Sequence, residues 1–142
     1  QEIVSAYDVA PSDARVMVII AWASWCPVCK VSMSRLQAGH EYFQAKSGDG
    51  IFVMGINIGE SDKKVRETIE KYSITFRMLA GGGQVSKLPT TFVLVRRSPT
   101  DEWEGVDQIV GEVTSQNVAS FENAYLQVLE ILQQESSTTP SP

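Results

Sequence analysis

Val16-Met17-Val18-Ile19-Ile20-Ala21-Trp22-Ala23-Ser24-Trp25-Cys26-Pro27-Val28-Cys29-Lys30 is the stretch on which the fold turns. Its first five residues are apolar and partly β-branched, which suits a strand buried on both faces, as in a parallel sheet. From Cys29 the period changes. Cys29, Met33, Leu36, His40 and Phe43 fall at i, i+4, i+7, i+11 and i+14, one face of a helix running from about Cys26 to Lys46. Two cysteines separated by Pro27-Val28 thus sit between a buried strand and the start of a helix.

Downstream, Ser47-Gly48-Asp49-Gly50 breaks the helix, and Ile51 to Ile58 reads as a second buried strand. Ser61 is placed to cap a second helix whose stripe is Val65, Ile69 and Tyr72. Ile74 to Leu79 carries only a weak extended signal before Gly81-Gly82-Gly83. Thr91 to Val95 is the third clear strand, and Gln108-Ile109-Val110 reads as its hairpin partner. Val118, Phe121, Tyr125, Leu129 and Leu132 mark a last amphipathic helix. The order is strand, helix, strand, helix, strand, strand, helix. A βαβ crossover demands parallel pairing and the short later connection allows an antiparallel pair. The expected architecture is α/β: a central mixed sheet with helices on both faces, and Ile3-Val4 as an added edge piece.

The 142 residues suit one domain, taken as 1–134, followed by a disordered Ser/Thr/Pro tail over 135–142. A composition of 43% hydrophobic and 20% charged residues argues against a disordered chain. A formal net charge of −5 disfavours non-specific nucleic-acid binding, which needs an excess of Lys and Arg. No apolar run reaches the roughly 18 residues of a membrane span. The chain begins at Gln1, which fits a removed signal peptide or a trimmed chain.

The cysteine spacing restricts the chemistry. A pair three positions apart closes too small a loop to staple a domain by restricting chain entropy. Zinc usually needs four ligands, and one histidine plus scattered acids are a poor supplement. Two inert buried thiols remain the plain alternative. The position at a helix start favours redox use, because free N–H groups and the helix dipole stabilise a thiolate there. Cys26, at the exposed end of the turn, is the expected attacking sulfur. Cys29, on the inward stripe, is the expected resolving thiol. Pro27 is tolerated in the first helical turn.

The segment Trp22 to Lys30 resembles the active site of the thioredoxin superfamily. Ile56-Asn57-Ile58-Gly59-Glu60-Ser61 and Leu88-Pro89-Thr90-Thr91-Phe92 extend the likeness to the extracytoplasmic TlpA/ResA/CcmG-type thiol–disulfide oxidoreductases. The resemblance implies Cys26 as nucleophile, Cys29 as resolving thiol and Trp25 as the aromatic beside them. It implies that Pro89 is a cis-proline facing the sulfurs, with the Leu88 backbone pairing with an extended substrate segment. With Trp25 and Pro27, these two form the expected substrate-binding set. Glu60 matches an acid near the active site of ResA-like members, and is read either as a catalytic proton acceptor or as a surface acid at a helix start.

Two departures stand out. Thioredoxin carries a buried acid where this chain has Ile20, and ResA-like members often carry Glu where it has Ser32. The segment before Pro89 is also short, with Gly81-Gly82-Gly83-Gln84 in place of a helix, so a more open wall is expected there. His40 lies roughly 16 Å along the helix from Cys29, too far for proton transfer, and reads as a core-edge histidine. Trp22 reads as core. Trp103 reads equally as surface or as partner-binding.

The resemblance thus implies an extracytoplasmic enzyme that reduces protein disulfides, in cytochrome c maturation or in reducing a metal-site thiol pair. It implies protein thiol or disulfide substrates, a membrane-bound electron donor, no cofactor or metal beyond the cysteine pair, and a monomer. The competing readings are a thiol oxidase or isomerase of the same fold, and a non-catalytic peptide-binding adaptor.

Overall fold

The computed structural model describes residues 8–81 and 85–137; the Ile3-Val4 edge piece falls outside them, as do 82–84 and the last five residues. Eight elements follow in chain order: β1 (Val16–Trp22), α1 (Pro27–Ser47), β2 (Ile51–Ile58), α2 (Asp62–Lys71), β3 (Arg77–Gly81), β4 (Thr90–Val95), β5 (Glu104–Val110) and α3 (Ser115–Ser137). The five strands form one mixed sheet in the order β3-β2-β1-β4-β5. β1, β2 and β3 run parallel, while β4 is antiparallel to β1 and β5 to β4. This is a thioredoxin-like fold. Among the described residues no helix is long and apolar enough to cross a membrane.

β1 is central and buried along its whole length, as its uniform apolar run requires. Its side chains alternate between two clusters. Val16, Val18, Ile20 and Trp22 join Met33, Leu36 and Phe43 of α1, Val65 of α2 and Phe121 of α3. Met17 and Ile19 join Met54, Ile56 and Leu94 on the other face, where Ala10 and Trp103 pack. The three long helices therefore share one face, a more one-sided layering than expected. Both parallel connections step across the sheet in the same direction, and right-handed crossovers then place α1 and α2 on the same side. The other face receives the short helical stretch at Asp8–Val9, which leads into Ala10.

Three further differences have local causes. β3 is a fifth strand, beginning three residues after the weak signal at Ile74. It is an edge strand with no fully buried residue, so it shows no alternation to read. β5 starts at Glu104, well before Gln108, because its exposed Gly105 and Asp107 are held by pairing with β4 rather than by burial. α3 continues through Ser137, three residues into the stretch read as tail, and Glu135 there pairs with Arg97 at 2.9 Å. Trp103 is half-buried and packs on the second cluster. The Arg96 guanidinium stacks 4.3 Å from its ring, and Arg96 itself is fastened to the Pro11 and Ala14 carbonyls.

Candidate active site

The turn after β1 delivers Cys26 to the start of α1. Cys26 is the N-cap and Pro27 follows in the first turn, where a missing N–H costs nothing. The Cys26 sulfur accepts the Cys29 backbone N–H at 3.2 Å. Cys26 and Cys29 are joined as a disulfide, with their Cα atoms 5.2 Å apart. Cys29 is fully enclosed and Cys26 is 5% exposed. Cys26, expected at the exposed end of the turn, is thus nearly buried too, while its neighbours Trp25 and Val28 are 69% and 41% exposed and present an apolar surface beside the pair.

The loop before β4 faces this turn. The Leu88–Pro89 bond is cis, and the Leu88 carbonyl oxygen lies 3.7 Å from the Cys26 sulfur. Pro89 is itself held from behind, since its carbonyl accepts the Gly111 N–H at 2.8 Å. Gly111 has φ +98°, a conformation that strongly favours glycine. The next residues are clasped to α1. Ser32 accepts the Val113 N–H at 2.9 Å, and Arg35 donates to the Val113 carbonyl at 2.8 Å and pairs with Glu112. The cysteine helix and the proline loop are thus tied through the segment after β5. Ser32, where the resemblance led to an acid being expected, is here a buried fastener.

Glu60 follows Gly59, whose φ of +74° turns the chain out of β2. The Glu60 carboxylate accepts from the Ser24 N–H at 2.7 Å, from the Asn57 amide at 2.8 Å and from the Ser24 hydroxyl. Burial pushes this carboxyl up, but the hydrogen bonds from Asn57 and Ser24, with Lys64 nearby, hold it below the usual value of 4.5. Its partners are Ser24, on the turn leading to Cys26, and Asn57 of β2, and not the sulfurs. Sequence reasoning missed Ser24 and Asn57. Asn57 had a signal: an amide inside the otherwise apolar run Ile51–Ile58.

The remaining candidates lie elsewhere. Trp22 is core, its indole N–H donating to the Met78 sulfur at 2.9 Å. His40 packs edge-on to Phe76, and burial lowers it against the opposing pull of Glu41 and Asp49. Among the described residues no group of three or more His, Cys, Asp or Glu side chains is placed to hold a metal. Beside the proline loop an open cleft runs along Val85, Lys87, Thr90 and Phe92, where the short segment before Pro89 had suggested an open wall.

Fold and site together define a thioredoxin-like protein with a Cys-x-x-Cys pair at a helix start, opposite a cis-proline loop. Residues 1–97 match the model of the AhpC/TSA family, and the chain belongs to that family. It is 23% identical over 107 residues to the thiol-disulfide oxidoreductase ResA of Bacillus thuringiensis, covering 70% of this chain and 57% of that protein. It is 22% identical over 121 residues to the sporulation thiol-disulfide oxidoreductase A of Bacillus subtilis, covering 78% and 68%. The chain thus spans little more than half the length of the ResA relative. Among solved structures it is similar to a secreted thiol-disulfide isomerase from Corynebacterium glutamicum, with TM-score 0.67, 24% identity, and 80% and 71% of the two chains covered. It also resembles a thiol:disulfide interchange protein of the thioredoxin family from Chlorobium tepidum, with TM-score 0.65, 16% identity and 81% of each chain covered.

Anchoring by Glu60 and proton transfer by Glu60 have different signatures. A carboxylate held below its ordinary value contributes stability that is present above that value. The contribution is lost as pH falls through the lower folded value. Glu60→Gln is expected to destabilise by on the order of 1 kcal/mol near neutral pH, the low end for bonds to a charged group because the site is partly exposed. It is also expected to flatten the acid limb of the stability curve. Urea titrations between pH 3 and pH 7 (a window of about four units around the ordinary Glu value) measure both. If Glu60 only anchors the turn, the pH profile of thiol exchange stays unchanged. If Glu60 takes the proton, that profile shifts.

Proposed function

We propose that the chain is an extracytoplasmic thiol–disulfide oxidoreductase that reduces protein disulfides through Cys26 and Cys29. The observation that carries this reading is the Cys26 sulfur itself. It caps a helix N-terminus, lies 3.7 Å from the Leu88 carbonyl, and belongs to a residue that keeps 5% exposure between exposed Trp25 and Pro27, whereas Cys29 keeps none. Once the pair is reduced, the helix start favours the Cys26 thiolate. The thiolate attacks one sulfur of a substrate disulfide, forming a Cys26 mixed disulfide and expelling the first substrate thiolate. Cys29 then attacks the Cys26 sulfur, reforms the Cys26–Cys29 bond and expels the second. Two electrons leave the pair, and the two thiol protons end on the two substrate thiols.

In this reading Trp25, Pro27, Leu88 and Pro89 receive the substrate, with the Leu88 backbone available to an extended segment. Glu60 fixes the approach of the Ser24–Cys26 turn, and serves as proton acceptor only if it releases Ser24 or Asn57. A membrane-bound dithiol donor recharges the pair, no further cofactor is needed, and the chain works as a monomer. Cytochrome c maturation and reduction of a metal-site thiol pair are the roles proposed for it. The names of the oxidoreductase relatives and of the secreted neighbour support the activity and the setting.

Turnover of insulin disulfides with a dithiol donor tests the reading. Catalysed reduction that depends on Cys26 is expected. Faster oxidation of reduced protein thiols would instead make the chain an oxidase or isomerase, and binding without turnover an adaptor.

A further inference from the structure

Thr91 on β4 is fully buried, and its hydroxyl has no hydrogen-bond partner. Buried hydroxyls are ordinarily paired, because burial without a partner is costly. Thr90 beside it shows the ordinary arrangement, donating to the Lys87 carbonyl at 2.6 Å. Thr91 stands opposite Ile20 of β1 and Ile109 of β5, so its side chain lies on the face that carries α1. On that face Ile20 belongs to the same buried cluster as Cys26, Cys29, Met33 and Val113. Thr91 is also the second residue of β4, two positions beyond Pro89. The unpaired hydroxyl is therefore on the same face of the sheet as the sulfur pair, beside a residue of the cluster that encloses it.

We propose that the Thr91 hydroxyl serves Cys29, donating a hydrogen bond to its sulfur when the disulfide opens and the Cys29 thiolate forms. The proposal rests on the reading of Cys26 and Cys29 as an exchange couple. In the oxidised protein the hydroxyl has no partner, and the thiolate that forms when the pair opens is a stronger acceptor than either disulfide sulfur. A thiolate in apolar surroundings is otherwise disfavoured by desolvation, and a hydrogen bond to the charged form offsets this. Thr91 keeps its proton throughout. Cys29 yields its proton to the substrate thiolate expelled in the first step, and the thiolate expelled in the second step takes from solvent the proton that Cys26 released on ionising, so no further reactant is required.

The other groups near this layer are engaged elsewhere. Ile20, Ile109, Met33 and Val113 do not titrate. On α1, Arg35 is paired with Glu112 of the segment after β5, and Lys30 lies 6.0 Å from the Tyr72 ring at the end of α2. After β2, Glu60 is held by Ser24 and Asn57. The Ser32 oxygen accepts the Val113 N–H. His40 is about three turns farther along α1.

Thr91→Val removes the hydroxyl at nearly constant shape, and Thr91→Ser keeps it. Valine is expected to leave the oxidised protein at least as stable, since no bond is lost. The thiolate of Cys29 is titrated by its ultraviolet absorbance in the full chain carrying Cys26→Ser. Thr91→Val is expected to raise the midpoint by about one unit or more, and Thr91→Ser to leave it near the parent value. In the two-cysteine protein, Thr91→Val is expected to slow resolution of a preformed Cys26–glutathione mixed disulfide about tenfold at neutral pH. The first attack by Cys26 keeps its rate. A folded Thr91→Val protein with parental midpoint and resolution rate overturns the proposal, as does a Thr91→Ser protein no better than valine. If the midpoint shifts as expected but the parent reduces no protein disulfide, the hydroxyl–thiolate pair stands and the proposed function fails.

Discussion

Cys29→Ser is expected to convert the protein into a trap. Cys26 keeps its place at the helix start, with the Cys29 backbone N–H still available to its sulfur after the side chain changes. It attacks a substrate disulfide as before, but no inward thiol remains to release the product. Mixed disulfides through Cys26 should accumulate at up to one per chain, and multiple turnover should fall to background. Cys26→Ser should lose both activities, because Cys29 is fully enclosed and cannot meet a protein disulfide. Non-reducing electrophoresis with mass mapping of the captured peptide checks the pair. Capture by Cys29 in the Cys26→Ser protein would reverse the assignment of roles.

The second large effect concerns folding. Phe121 is fully buried and is the main anchor of α3, with Val128 its other buried side chain. It enters the cluster that also holds Met33, Leu36 and Phe43 of the cysteine helix. Phe121→Ala removes that contact and leaves a cavity, which typically costs about 3–5 kcal/mol. Against a usual total of about 5–15 kcal/mol, this is a large share of the stability. A urea titration should show a lower midpoint with an unchanged slope, and the exchange rate per folded molecule should be preserved. A midpoint within experimental error of the parent would show that α3 adds little to the core.

The readability of the fold follows from where each element sits. β1 and β2 are interior strands with continuous apolar runs bounded by polar or glycine-containing turns, so their patterns are strong. α1 carries a long stripe on one face. β3 and β5 are the two edges of the sheet, and their residues face solvent too often for alternation to appear. The one-sided helix layer depends on strand order, which no single segment encodes.

The site divides in the same way. Cys26, Cys29 and Pro89 stand in local motifs and were legible there. Ser24 meets Glu60 across 36 positions, and Ser32 meets Val113 across 81, so the work of both serines emerges only when distant segments close. Ser32 had been read only as an acid that was missing. Thr91 stood within the quoted Leu-Pro-Thr-Thr-Phe segment, yet nothing local distinguishes its enclosed, unpaired hydroxyl from that of Thr90.

The most direct measurement is a single turnover. The fully reduced chain is mixed with an equimolar protein disulfide such as insulin, quenched by alkylation at successive times, and weighed intact. The account predicts that the dithiol form disappears as the Cys26–Cys29 disulfide appears, with one substrate disulfide opened per chain and none opened by Cys26→Ser. A folded, fully reduced protein that leaves insulin intact while both of its thiols remain free would contradict it.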